Sequence, residues 1–133
     1  MSVPLKFSEA FAIGLHATTI IAANGDTKSS VANVADELNC SLAHLQKVLQ
    51  RLVKSGILNS IRGPKGGFLL SKKATEIYVL DIYESIEGRL ELNNCLFESR
   101  VCTRSLCVLG SLTTNINKQI SDYFTNTLLS DIL

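Results

Sequence analysis

Three cysteines lie close together in the second half of the chain. Cys95, Cys102 and Cys107 follow the spacing C-x6-C-x4-C within NNCLFESRVCTRSLC, a stretch that also carries Arg100 and Arg104. Nearby cations favour the thiolate, which is the form of cysteine that binds metals and reacts with oxidants. Spacing and charge therefore favour a metal or iron-sulfur site slightly over a redox-active set of thiols, and inert reduced thiols also fit the pattern.

Zinc and a permanent disulfide fit these cysteines less well. No Cys or His follows Cys107 at the spacing usual for a fourth zinc ligand. The start of the chain, MSVPLKFSEAF, lacks the apolar segment of a signal peptide, so the expected location is the cytoplasm, where permanent disulfides are rare. Cys40 stands apart and is predicted to be a small buried apolar residue.

A second distinctive stretch is SIRGPKGGF, residues 60–68, which combines three glycines with Pro64, Arg62 and Lys65. The P-loop order of glycines followed by Lys-Ser/Thr is absent, so a nucleotide site is a weak interpretation. Residues that favour strands flank the loop on both sides: Ile57, Leu58, Ile61, Phe68, Leu69 and Leu70. The stretch is therefore predicted to be the tip of a projecting β-hairpin with a positive charge.

Charges are segregated along the chain, although the net charge is only +1. Residues 44–73 contain seven cations and no Asp or Glu: Lys47, Arg51, Lys54, Arg62, Lys65, Lys72 and Lys73. Between residues 76 and 98 the balance reverses, with six carboxylates against Arg89. A charge run is usually a solvated face, but this one coincides with the hairpin and the helix before it, which indicates a surface for an anionic partner.

Apolar spacing predicts helices over residues 7–23, about 30–38 and 41–55, with a tight turn at Asn39–Ser41 and an end at Gly56. After the hairpin, VLDIYESIEG (residues 79–88) predicts a short helix. Residues 103–128 predict a long final helix with an apolar stripe: Leu109, Leu112, Ile116, Ile120, Tyr123 and Phe124. The fold class is therefore mainly α with a small β-hairpin wing.

Helix, turn, helix and basic hairpin is the order of a winged helix-turn-helix. Leu45, Val48, Leu49 and Leu52 are predicted to face the core, which turns the opposite face of their helix outward. That outward face fits a solvated surface and a DNA groove equally well, and the cations of the adjoining wing favour DNA. The predicted DNA-binding residues are Ser41, Ala43, His44, Gln46, Lys47, Gln50, Arg51, Lys54, Arg62, Gly63, Pro64, Lys65 and Gly66, and the partner is double-stranded operator DNA.

The final helix lies beyond a complete winged-helix unit and has little to pack on in its own subunit. A homodimer is therefore expected, with residues 1–75 as the DNA-binding part and residues 76–133 as a sensing loop and dimerisation helix packed on the first part as one unit. No apolar run approaches the roughly eighteen residues of a membrane span. No Ser-His-acid pattern is apparent, so an enzyme is not expected.

The chain resembles the winged-helix transcription regulators typified by IscR, NsrR, RirA and CymR over nearly its whole length. The resemblance rests on VANVADELNCSLAHLQKVLQRLVKSGIL, the wing SIRGPKGGFLLSK, LDIYESIEG and the end TNTLLSDIL. It implies a dimeric DNA-binding regulator whose sensing segment lies between the wing and the dimerisation helix. Cys95, Cys102 and Cys107 match the cysteines of cluster-binding members, with the middle one displaced by about one position, which implies an iron-sulfur cluster of the 2Fe-2S or 4Fe-4S type.

The resemblance also suggests a fourth ligand. Members of the IscR kind use a histidine soon after the third cysteine, and CVLGSLTTN contains none. Members of the NsrR kind take an acidic residue from the first helix of the other subunit, and Glu9 matches that place. Glu9 is the resulting prediction; without the resemblance it is a solvated glutamate that the helix dipole favours.

The leading hypothesis is a transcription regulator whose operator binding responds to this cluster. A cluster-free regulator of the same fold, switched by thiol redox state or by a protein partner as in CymR-like members, is the alternative. A small cluster-bearing electron-transfer protein is a third possibility, but it would not need the wing.

Overall fold

The structure is a computed structural model that describes residues 7–97, 99 and 101–133. It contains five α-helices among these residues: α1 (Glu9–Ala23), α2 (Val31–Leu38), α3 (Leu42–Lys54), α4 (Val79–Glu87) and α5 (Leu112–Asn126). Two strands, β1 (Leu58–Ile61) and β2 (Gly67–Leu70), form an antiparallel hairpin between α3 and α4. Short 3₁₀ helices occupy Ala74–Glu76 and Leu129–Ile132. The predicted fold class, helical with a β-hairpin wing, is confirmed.

Serine caps set the starts of the first three helices. The side-chain oxygens of Ser8, Ser30 and Ser41 accept hydrogen bonds from backbone N–H groups three residues further on. Each cap satisfies one donor that the first turn of a helix leaves unpaired. Asn39 ends α2 in the left-handed conformation, with φ of 50°, and this reverses the chain before α3 begins.

The core lies between α1, α3 and α4. Leu45, Val48, Leu49 and Leu52 are all buried, as the apolar spacing of α3 predicted. Helix α1 approaches α4 closely at Gly14, where a Cβ atom would lie 2.1 Å from Cδ1 of Ile86. Glycine therefore permits this helix contact, which holds α4 against the helix-turn-helix.

The wing is tied to the turn before α2. Ser29 forms a bridge to Phe68, with Ser29 N–H to Phe68 O at 3.1 Å and Phe68 N–H to Ser29 O at 2.9 Å. A Cβ atom on Gly67 would lie 2.6 Å from the carbonyl oxygen of Ser29, so the close approach of the backbones requires glycine. The bridge fixes the base of the wing relative to the helix-turn-helix.

Helix α5 starts at Leu112, so the prediction of a helix from residue 103 was wrong for its first nine residues. A turn precedes it, in which Gly110 has φ of 61° and donates its N–H to the carbonyl oxygen of Cys107 at 2.9 Å. This left-handed glycine breaks the helical path. The residues buried on α5 are Thr113, Asn117 and Phe124, whereas Leu112 and Tyr123 of the predicted stripe are exposed.

The segment after α5 returns to the body of the protein. Tyr78 and Leu128 form an antiparallel bridge, in which Val79 N–H donates to Thr127 O at 2.9 Å and Leu129 N–H to Ile77 O at 2.7 Å. Leu129 is fully buried. Phe124 packs among Phe7, Phe11 and Tyr83, so α5 is anchored at its C-terminal end. In the described part of the chain, each helix is too short or too polar to cross a bilayer.

Candidate DNA-binding surface and cysteine pocket

The outer face of α3 is a shallow surface lined by Ala43, Gln46, Lys47, Gln50 and Arg51. These side chains are exposed, and they lie opposite the buried leucines of the same helix. Lys54 is exposed in the last turn. The structure therefore brings the predicted polar and basic residues of α3 to one continuous face.

The N-terminal end of α3 is organised by its cap. The Ser41 hydroxyl oxygen accepts a hydrogen bond of 3.2 Å from the backbone N–H of His44, and His44 is half-buried. Ser41 is itself exposed beside the first turn. A helix N-terminus with unpaired N–H groups is favourable for a phosphate group.

Arg51, one of the predicted DNA contacts, is hydrogen-bonded to another helix of the same subunit. Its Nη1 donates a hydrogen bond of 3.0 Å to the carbonyl oxygen of Ile86, in the last turn of α4. A cation is favourable at a helix C-terminus, where carbonyl groups lack partners. Sequence spacing does not reveal this contact, because it joins residues 35 positions apart.

The wing tip presents its two cations to solvent. Arg62, Gly63, Pro64 and Lys65 are exposed, and Gly66 is half-buried. The turn closes with a hydrogen bond of 2.9 Å from Gly66 N–H to Gly63 O, and Gly63 has φ of 112°. All of the predicted wing residues therefore lie on one projecting turn.

Lys28 is a cation near the wing that the sequence did not single out. It is exposed, and its Cβ lies 3.3 Å from the position that a Cβ on Gly67 would take. The Ser29–Phe68 bridge places it there. Only this pairing, which joins distant parts of the sequence, would have identified it.

Cys95, Cys102 and Cys107 line a single pocket of about 310 Å³, together with Asn93, Asn94, Arg104 and Ser105. All three are free thiols; Cys95 is half-buried, and Cys102 and Cys107 are exposed. Among the described residues, no three His, Cys, Asp or Glu side chains are grouped closely enough to hold one metal ion. The loop thus gathers the three thiols around one cavity without closing them into a ligand cage.

The remaining predicted residues lie elsewhere. Glu9 is exposed in the first turn of α1. Arg100, the cation predicted among the thiols, lies outside the described residues, as does Glu98 of the acidic segment. Cys40, predicted to be a small buried apolar residue, is half-buried and packs against the core.

Residues 7–133 match the family model of Rrf2, described as an iron-dependent transcriptional regulator. The chain belongs to the Rrf2 family. This membership agrees with the resemblance to IscR, NsrR, RirA and CymR, and it makes the protein a DNA-binding transcription regulator of the helix-turn-helix type rather than an enzyme.

Individual Rrf2 relatives support the same conclusion. BadM of Rhodopseudomonas palustris, named as a candidate HTH-type transcriptional regulator, is 35% identical over 105 residues, which cover 78% of this chain and 67% of BadM. The structure of CymR, the global cysteine regulator of B. subtilis, superposes with a TM-score of 0.79 at 26% identity and covers 96% of this chain and 95% of CymR. IscR of T. potens superposes with a TM-score of 0.73 at 26% identity, covering 96% of this chain and 85% of IscR.

Proposed function

We propose that this Rrf2 protein is a homodimeric regulator whose affinity for operator DNA responds to an iron-sulfur cluster held by Cys95, Cys102 and Cys107. The observation that carries the proposal is that these three thiols line one pocket. The three cysteines lie between α4 and α5 in the chain, after the winged-helix unit.

Operator contact is assigned to the outer face of α3 and to the wing tip. Lys47, Gln50 and Lys54 offer a cation-rich helix face of a size that enters a major groove, and Arg62 and Lys65 extend from the adjoining hairpin. The remaining uncharged residues of the predicted set would determine how closely the protein backbone approaches the DNA. They are Ser41, Ala43, His44, Gln46, Gly63, Pro64 and Gly66. Lys28 joins this surface because it lies at the base of the wing.

The donor set of the pocket fits an iron-sulfur cluster, because cysteine thiolates are the usual ligands of such clusters. When bound, the cluster would respond to iron supply, oxygen or reactive nitrogen species, because these change its oxidation state or cause its loss. The contribution of the chain is to hold three thiols in one solvent-accessible loop. Glu9 of a second subunit is the proposed fourth ligand, and its exposed carboxylate in the first turn of α1 leaves it available to a partner.

The dimer is inferred from apolar side chains that one subunit leaves exposed. They occur in the cysteine loop and on α5, and they are Leu96, Phe97, Val101, Leu106, Val108, Leu112 and Tyr123. Large exposed apolar patches mark interaction surfaces. We infer that residues 76–133 form the sensing and dimerisation part, that residues 1–75 form the DNA-binding part, and that the protein acts in the cytoplasm.

The test is the visible absorption spectrum, together with the iron and sulfide content, of protein purified without oxygen. The proposal expects a coloured protein that contains iron and sulfide, and a Cys102→Ala variant that loses both. Cys40→Ala is the matched control, because Cys40 packs against the core far from the pocket in sequence, and it should keep the colour. Wild-type protein that stays colourless after reconstitution with iron and sulfide would overturn the cluster.

A thiol switch without a cluster is the second candidate, favoured by the exposure of Cys102 and Cys107 as free thiols. Exposed thiols beside a cation are the ones that oxidants reach first. This candidate expects the colourless protein to lose or gain operator affinity on mild oxidation alone, and a reductant to reverse the change. Cys102→Ala would abolish the response, whereas Cys40→Ala would keep it.

A further inference from the structure

Two buried polar residues of α5 hold the chain just before Cys95. Thr113 Oγ1 donates a hydrogen bond of 2.8 Å to the carbonyl oxygen of Asn94. Asn117 Nδ2 donates to the carbonyl oxygen of Asn93 at 2.9 Å and to Oδ1 of Asn94 at 2.8 Å. The backbone that leads into the cysteine pocket is thereby fixed to the first two turns of α5.

The Asn93 side chain continues this network up to the first thiol. Its Oδ1 accepts a hydrogen bond of 3.0 Å from the backbone N–H of Cys95, and its Nδ2 donates one of 2.8 Å to the carbonyl oxygen of Phe97. These two bonds close a turn around Cys95. Cys95 is accordingly half-buried, whereas Cys102 and Cys107 are exposed.

The burial of the two α5 side chains shows that this junction is more than a surface contact. Thr113 is 4% exposed and Asn117 is 5% exposed, and both lie on a face that a packed helix would normally fill with apolar residues. Asn117 Oδ1 has no hydrogen-bond partner among the described residues, which is a costly state for a buried polar atom. The chain therefore keeps polar groups at this place although burying them is unfavourable.

We propose that Asn117 and Thr113 are positioning residues: by binding Asn93 and Asn94, they hold Cys95 in a fixed position relative to α5. The three thiols of the pocket are then unequal: Cys95 is preorganised by α5, and Cys102 and Cys107 complete the site from the exposed part of the loop. Coupling between two sites is reciprocal. This inference rests on the proposed function: a group bound in the pocket would stabilise the first turns of α5, and displacement of α5 would weaken binding of that group.

The experiment is pulsed alkylation of the full-length, metal-free protein with iodoacetamide, with each cysteine quantified by peptide mass spectrometry. In the wild type, Cys95 should react more slowly than Cys102 and Cys107. Thr113→Val should accelerate Cys95 roughly fivefold, the change expected when loss of a hydrogen bond worth about 1 kcal/mol shifts a local opening equilibrium. Asn117→Ala, which loses two hydrogen bonds to the loop, should accelerate it at least as much. Cys102 and Cys107 should keep their rates.

Three controls separate positioning from general loss of structure. Thr113→Ser keeps the hydroxyl group and should restore the slow rate of Cys95. Asn115→Ala, on the exposed face of α5, removes a side chain whose hydrogen bond goes to Ser111 and should leave Cys95 slow. Cys40 packs against the core, so its rate reports unfolding and should stay low in each variant.

An unchanged rate for Cys95 in Thr113→Val, with Cys40 still protected, would overturn the proposal. The assay contains no metal, so its result does not depend on whether a cluster binds. In protein that has been loaded with iron and sulfide, release of iron to a chelator should be several-fold faster for Thr113→Val and unchanged for Thr113→Ser. Equal rates of iron release from both variants would contradict the claim that Thr113 stabilises the group bound in the pocket.

Discussion

The guanidinium of Arg51 donates a hydrogen bond of 3.0 Å to the carbonyl oxygen of Ile86 and so joins the outer face of α3 to the C-terminal turn of α4. Helix α4 leads through Gly88 into the segment that carries the cysteines. Arg51 thus connects the proposed DNA-binding helix with the element that precedes the cysteine-bearing segment.

Replacement of Arg51 by alanine should lower the free energy of unfolding by about 1 kcal/mol, because the Ile86 carbonyl loses a charged donor at a helix end. Urea denaturation measures this change. Gln50→Ala is the matched control on the same exposed face and should leave stability within about 0.5 kcal/mol of wild type. If Arg51→Ala leaves stability unchanged but weakens DNA binding with a smaller salt dependence, then Arg51 acts as a phosphate contact instead.

Lys47 and Lys54 should contribute to DNA affinity through phosphate contacts. Each alanine substitution should weaken operator binding and should make the negative slope of log K against log salt concentration shallower by about 1. Fluorescence anisotropy at several salt concentrations measures both quantities. Lys118→Ala is the control, since the Lys118 Nζ lies 2.6 Å from Asp122 Oδ2 on α5. If the slopes of both variants match that of Lys118→Ala, Lys47 and Lys54 do not contact DNA phosphates.

Lys28 should behave as part of the wing although it precedes α2 in the chain. Its alanine variant is expected to weaken binding to operator and to unrelated DNA by a similar factor, because a phosphate contact carries no sequence information. The same anisotropy titration, carried out with both DNAs, checks this expectation. Operator affinity equal to that of wild type in low salt would show that Lys28 points away from bound DNA.

Gly67→Ala should destabilise the protein by about 1–3 kcal/mol, because the new Cβ would lie 2.6 Å from the carbonyl oxygen of Ser29 and would force the wing from its bridge. Gly25→Ala provides the comparison: Gly25 has φ of 59° but open space around it, so its cost of about 1 kcal/mol comes from the backbone alone. Thermal unfolding of both variants measures the two losses of stability. A smaller loss for Gly67→Ala than for Gly25→Ala would contradict the steric argument.

Much of this fold follows from local rules. The spacing of Leu45, Val48, Leu49 and Leu52 predicted the buried face of α3, and the turn at Asn39–Ser41 and Gly56 predicted approximately where α3 begins and ends. The glycine-rich basic stretch predicted the wing. These features depend on residues that are neighbours in the sequence, so periodicity and capping preferences are sufficient to find them.

The parts that sequence reasoning missed depend on contacts between distant residues. The Arg51–Ile86 hydrogen bond and the place of Lys28 beside Gly67 both follow from tertiary packing. The start of α5 was predicted too early because the predicted apolar stripe began at Leu109, whereas the turn at Gly110 precedes the helix. Thr113 and Asn117 lie outside the apolar stripe predicted for the final helix, and a polar residue that is buried for a loop contact has no periodic signal.

Operator affinity measured with and without the cluster tests the central claim most directly. Fluorescence anisotropy under anaerobic conditions would compare wild-type protein loaded with iron and sulfide, the same protein after chelation, and Cys102→Ala treated identically. The account predicts that loading changes the operator affinity of wild type at least several-fold and leaves Cys102→Ala unchanged. Equal affinities for the loaded and the chelated wild-type protein, with iron and sulfide shown to be bound, would contradict it.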